Sequence, residues 1–306
     1  MLITPAAVIT KAASKQAYYT IRFLADRERA DDAYRAYGYF RWVDDIVDSG
    51  FDSNSERSAF LERQKVLLDG CYRGERMQAA TAEENMLIQL VQHDHEKCSG
   101  LQVYLRNMMK VMQFDAGRRG RLISQVELDR YTHQLSCAVT EAMHYFIGHD
   151  DFAPHTQSRY LAVAGAHIVH MLRDAYEDLQ MGYYNIPREV LESGQIRPQD
   201  IQSRAYRAWV QSRIQLARMY FRAGKRQIAQ IENMRCRLAG YAYVARFEWV
   251  LNTIEREAYV LRPDYSDRKS FKAKYRMGLL AVSSIFNSKS RLLIYQPARS
   301  QLWRKR

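Results

Sequence analysis

Proline is scarce in this chain of 306 residues: six occur, and none lies between Pro5 and Pro154. Proline interrupts helices, so that span can hold long unbroken ones. Strand signals are nearly missing as well. No alternating run of β-branched residues is bounded by turns, which argues against a sheet protein. The four cysteines, Cys71, Cys98, Cys137 and Cys236, are far apart and contain no C-x-x-C pair. Neither a disulfide framework nor a zinc site is indicated, and a reduced, cytoplasmic setting is expected. No run of about 18 apolar residues occurs, so no membrane-spanning helix is expected. The opening MLITPAAVITKAASK lacks a basic stretch followed by a long apolar one and does not read as a signal peptide. A Gly-rich dinucleotide fingerprint is absent too.

Acidic charge is nearly missing from one end. Residues 261–306 hold twelve Lys or Arg against two Asp, so this end carries ten of the chain's twelve net positive charges. Such an end serves solubility, an anionic membrane surface or nucleic acid. No nucleic-acid motif accompanies it, and no nucleic-acid partner is expected. The stretch MGLLAVSSIFNSKSRLLIYQ mixes apolar and basic residues as an interfacial helix does, which favours peripheral membrane contact.

What the chain does have is apolar residues at three- and four-residue spacing, 47% of the total, with 26% charged residues. This predicts a globular, all-α bundle of roughly eight to ten helices. Breaks are expected at residues 49–55, 116–124, 147–158, 192–200 and 262–270, each rich in Gly, Pro, Ser, Asp or Asn. No repeat or long linker divides the chain, so residues 1–306 are read as one domain with a basic C-terminal segment from about 262.

Two acidic motifs stand out. The first is YFRWVDDIVDSG, residues 39–50. On a helix, Tyr37, Arg41, Asp44 and Asp48 fall within about 60° of one another, with Asp45 beside them. Like charges at i,i+4 repel, and desolvation makes the repulsion worse. Trp42, Val43, Ile46 and Val47 make the rest of the helix apolar. Either the acidic stripe faces water at the end of a helix, or it lines a cavity that holds hard cations. Magnesium suits the second case: oxygen ligands, one or two carboxylates per ion, the remainder water or phosphate.

The second motif is HIVHMLRDAYED, residues 167–178. Asp174 and Asp178 are again at i,i+4, Glu177 is adjacent, and His167 and His170 lie near the face of Asp174. Two such helices facing each other would hold several magnesium ions against a diphosphate, with Arg41 and Arg173 bonding the phosphate oxygens. A di-iron bundle wants Glu-x-x-His repeats, which are missing. The histidines read either as satisfied cavity-wall residues or as a proton acceptor or diphosphate contact.

These residues resemble the squalene/phytoene synthase family. YGYFRWVDDIVD is similar to its Y-A-F-C-R-x-x-D-D-x-x-D signature, and RDAYED to its R-D-x-x-E-D. SKQAYYTIRFLADRERADDAY resembles the family's opening segment, and FEWVLNTIEREAYVL its late helix. The resemblance spans about residues 14–262. It implies an all-α isoprenoid synthase-type bundle with a central cavity. It also implies condensation of two prenyl diphosphates, farnesyl or geranylgeranyl diphosphate, through a cyclopropyl intermediate.

By position, the resemblance makes Asp44, Asp48, Asp174 and Asp178 ligands to two or three magnesium ions. Asp45 and Glu177 would support them, and Tyr37, Arg41 and Arg173 would contact diphosphate. Ser14 matches the family's N-terminal serine. Tyr131, Ser136, Val139 and Thr140 match the helix lining the prenyl-tail cavity. NADPH is implied only if the product is squalene. Three features depart from the family pattern. His167 and His170 stand where it reads Q-x-x-N, Tyr183 stands where it has an arginine, and YTHQLSCAVT lacks the usual glycines. The departures keep two other functions open: a terpene cyclase or another prenyltransferase, and a non-catalytic assembly protein that retains the fold.

Overall fold

Helix starts in this chain are set by small polar residues that satisfy the free N–H groups of a first turn. Ser53 and Ser124 each form a capping box with a glutamate three residues on, Glu56 and Glu127. Ser14 ends one helix and caps the next, accepting from the Ala17 N–H at 3.1 Å. The computed structural model describes residues 4–51, 53–149 and 156–269. The expected interfacial stretch and nearly all of the basic C-terminal charge lie outside the described residues.

Among the described residues there are twelve α-helices and no strand. They are α1 (Pro5–Ala13), α2 (Lys15–Leu24), α3 (Ala30–Ser49), α4 (Asn54–Tyr72), α5 (Ala82–Gln92), α6 (Gly100–Arg118), α7 (Gln125–Ile147), α8 (Leu161–Arg173), α9 (Ala175–Gln180), α10 (Arg188–Gly194), α11 (Arg204–Ile228) and α12 (Met234–Arg256). The all-α expectation matches. The number of helices exceeds the eight to ten expected because short caps split the N-terminus and the region after α8 into pieces. None of these helices is long and apolar enough to cross a membrane.

The core runs through α3 to α12, and a smaller cluster joins α1, α2, α3 and α5. On α3 the buried side chains include Tyr39, Phe40, Val43 and Val47. Burying each contributes roughly 1.5–3 kcal/mol. That fixes which side of α3 is left for its aspartates. The innermost helix is α8, where every residue from Ala162 to Leu172 is buried except His170. It packs against α7, α11 and α12. Gly224 of α11 makes the closest approach possible: a Cβ there would stand 2.5 Å from the Ala162 nitrogen.

Candidate active site

The outer side of α3 turns Asp44 and Asp48 toward the junction of α8 and α9, which carries Asp174 and Asp178. All four line one cavity of about 300 Å3, together with Asp115 and Arg118 of α6, Tyr131 of α7, His167 and His170 of α8, and Tyr183. The second motif is not one continuous helix. Asp174 sits at the joint between α8 and α9, with φ −96° and ψ 8°. Its N–H still bonds the His170 carbonyl at 3.0 Å, and its carbonyl accepts from the Asp178 N–H at 2.8 Å, so the two aspartates keep helical spacing.

The four carboxylates are not equivalent. Desolvation raises Asp44 to about 6, reinforced by Asp48 and opposed by Arg41. The Asp44 side chain is 41% exposed, so water tempers this shift. Desolvation also raises Asp178 to about 6, where Asp174 adds repulsion and a bond from Asn185 opposes it. Asp48 is raised by desolvation as well. Burial pushes the Asp174 carboxyl up too, but hydrogen bonds and charge from Arg173 and His170 outweigh it and hold it well below the usual carboxylate range. The His170 Nε2 lies 2.9 Å from Asp174, and Arg173 grips the same carboxylate through two nitrogens.

Among the described residues, no three His, Cys, Asp or Glu side chains converge on a ready-made cage. The donor set nevertheless suits magnesium. Its oxygens come in pairs from facing elements, Asp48 and Asp178 make no ion pair among the described residues, and the remaining positions face open cavity. That is the pattern for an ion that keeps water and takes phosphate oxygens.

A chain of hydrogen bonds supports this cavity. Tyr131 donates to Asp115 at 2.8 Å, Arg118 donates to Asp115 at 2.7 Å and to Asn185 at 2.9 Å, and Asn185 donates to Asp178 at 2.6 Å. The Arg118 guanidinium lies 5.1 Å from the Tyr131 ring centroid and 4.8 Å from that of Tyr183. Where the family pattern has an arginine, Tyr183 instead covers one that reaches in from α6. His167 is buried and held neutral by desolvation and neighbouring positive charges, and its Nδ1 is 3.1 Å from the Thr132 hydroxyl.

A second cavity, of about 390 Å3, is largely apolar. Ser14, Tyr37 and Val139 line it, together with Ile21, Phe146 and Tyr243. Arg246 of α12 also faces it and bonds Gln16 at 2.6 Å. Burial, and then the charge of Arg173, lower the Arg246 pKa, while Asp174 raises it. Two mutually repelling guanidinium groups therefore lie beside the acidic cavity and along the apolar one. Such a pair attracts an anion.

The remaining expected site residues lie elsewhere. Arg41 and Asp45 are exposed and paired with each other, and Arg41 also bonds Asp44 at 3.1 Å. Glu177 is exposed and does not line the acidic cavity. Ser136 faces a third cavity, and Thr140 a small space beside His144. Helix α7 runs through the middle of the bundle, so residues a few places apart open onto different spaces. Sequence reasoning missed Asp115, Arg118, Asn185 and Arg246. Its one available signal was an acid and an arginine at i,i+3 closing the apolar helix α6.

Comparison with known proteins supplies the relatives. The family model described as squalene/phytoene synthase matches residues 10–272. A presqualene diphosphate synthase from Zymomonas mobilis subsp. mobilis is 29% identical over 200 residues. The match spans 64% of this chain and 64% of that relative's length. The crystal structure of squalene synthase HpnC from Alicyclobacillus acidocaldarius aligns with a TM-score of 0.65 and 18% identity, covering 84% of this chain and 94% of that one. At that identity the likeness speaks for the fold alone.

Proposed function

The chain belongs to the squalene/phytoene synthase family, and from that premise we propose that it joins two prenyl diphosphates head to head through a cyclopropyl diphosphate, releasing pyrophosphate. The observation that carries this reading is the pairing of cavities. Four aspartates from two distant motifs line one, and the other has the largely apolar lining that a hydrocarbon tail requires.

Asp44, Asp48, Asp174 and Asp178 would hold magnesium, which when bound neutralises a leaving diphosphate. Arg246, and Arg173 through the nitrogen that Asp174 leaves free, would orient phosphate oxygens by charge-assisted bonds. Arg173 and His170 keep Asp174 ionised, and the Asn185 bond aims Asp178. Tyr37, Val139 and the rest of the apolar wall keep water from an allylic cation, and Tyr37, Tyr104 and Tyr243 offer aromatic faces to it. The double bond of the second substrate then attacks, and loss of a proton closes the ring. NADPH enters only if the product is reduced to squalene.

A second reading ends the reaction at the cyclopropyl diphosphate. It is favoured by Tyr183 in place of an arginine and by the similarity to a presqualene diphosphate synthase. Purified protein incubated with farnesyl or geranylgeranyl diphosphate and magnesium tests both readings by product extraction. A C30 or C40 hydrocarbon supports the full reaction, and the cyclopropyl diphosphate supports the shorter one. Pyrophosphate released with a cyclic or otherwise different product would overturn the head-to-head assignment. Contact of the basic C-terminal segment with anionic membrane is part of the same proposal. Vesicle binding should fall steeply with salt and be absent on neutral lipid.

A further inference from the structure

A third cavity, of about 480 Å3, lies on the other side of α8 and shares no lining residue with the acidic or apolar cavity. Helices α7, α8 and α11 and the 3-10 turn Gln157–Tyr160 form its walls. One of its lining residues is Arg213, which is 8% exposed. Among the described residues Arg213 has no hydrogen bond and no ion pair. The other buried arginines all have partners: Arg57 bonds the Val47 carbonyl, Arg118 bonds Asp115, Arg159 bonds Glu141, and Arg237 bonds the Ile231 carbonyl. Burial lowers the Arg213 pKa, and only the fields of Asp129 and Tyr220 oppose this.

A charge buried without a partner weakens a fold. A guanidinium that opens onto a cavity offers a planar fork to an incoming oxyanion. Arg213 is the cavity's lone guanidinium, and the Asp129 carboxylate stands in the same wall. That balance disfavours a di- or trianion such as diphosphate and suits a single negative charge. Leu161, Ala164, Ile168 and Leu216 provide an apolar side. We propose that this cavity binds an amphipathic monocarboxylate, its head group on Arg213 and its hydrocarbon part against α8 and α11. The site is separate from the one that would take prenyl diphosphate.

Titration calorimetry of the full chain with hexanoate, octanoate and decanoate tests the proposal. At least one of these should bind one per chain, and inorganic diphosphate with magnesium should not displace it. Arg213→Met keeps length and removes charge. It should weaken binding at least tenfold and raise the melting temperature, because it relieves an unpaired buried cation. Ala164→Met leaves the charge and fills the apolar side, and it should also weaken binding. Absence of binding at every chain length, displacement by diphosphate, or wild-type affinity in both variants would overturn the assignment.

Discussion

Asn185 holds Asp178 across the turn that follows the second acidic motif: its side-chain nitrogen donates to the carboxylate at 2.6 Å, and its oxygen accepts from Arg118 at 2.9 Å. The turn brings them together through Gly182, whose φ of +83° is a region that favours glycine. The Gly182 carbonyl accepts from the Gly120 N–H at 2.8 Å, tying the turn to the end of α6.

Replacing Asn185 with alanine should therefore leave the helical spectrum intact while freeing Asp178 and stripping Arg118 of a partner. Groups that orient a ligand side chain typically matter about 10–100-fold. The expected loss is of that order in the magnesium dependence of pyrophosphate release, read by titrating the metal. Unchanged dependence would remove Asn185 from the supporting set.

Acidity should act on the same cavity in a definite direction. Asp44 and Asp178 are raised to about 6 in the folded chain, against about 3.9 for a free aspartate. A raised carboxylate favours the fold while protonated. Its contribution is complete below about pH 4 and disappears as pH rises through about 6. Magnesium needs the ionised forms. The melting-temperature gain from added magnesium should be larger at about pH 8 than at about pH 5. An equal gain at both would detach these two aspartates from the metal.

Gly224 invites a stability test. Alanine normally helps a helix interior by about 1 kcal/mol, but a Cβ here would lie 2.5 Å from the Ala162 nitrogen and 2.7 Å from its Cα. Backbone cannot step aside as a flexible side chain can. Overpacking of this kind costs about 1–3 kcal/mol, so Gly224→Ala should lower the melting temperature. A higher value would mean that α8 and α11 have slack.

Val139→Phe narrows the apolar cavity near Met143 and Phe146. It should reduce kcat/KM for geranylgeranyl diphosphate more than for farnesyl diphosphate, by about tenfold or more in their ratio. Equal loss for both would place the hydrocarbon elsewhere.

The acidic motif of α3 was legible because its aspartates repeat at helical spacing beside Trp42 and Val43, a pattern that one helix must display on one side. The same logic read Asp174 and Asp178 correctly as neighbours, though it missed the joint between α8 and α9. It had no purchase on Asp115, Arg118 and Asn185. Arg118 and Asn185 are 67 residues apart in the chain, and only the turn at Gly182 and the end of α6 bring them into contact. Ser136, Val139 and Thr140 looked like one lining strip because they are close in sequence. In the bundle α7 is surrounded, and each opens onto a different space.

The thirteen residues of α8 leave no idle face. His167 and His170 look into the acidic cavity, Ala164 and Ile168 into the cavity of Arg213, and a Cβ on Gly165 would stand only 3.1 Å from the Phe221 ring. Inherited change in this helix has almost nowhere to be silent. Substitutions that survive should gather instead on α2, α4 and α10, whose outer sides meet only water, while α8 drifts slowly and mostly through paired changes with α7 and α11.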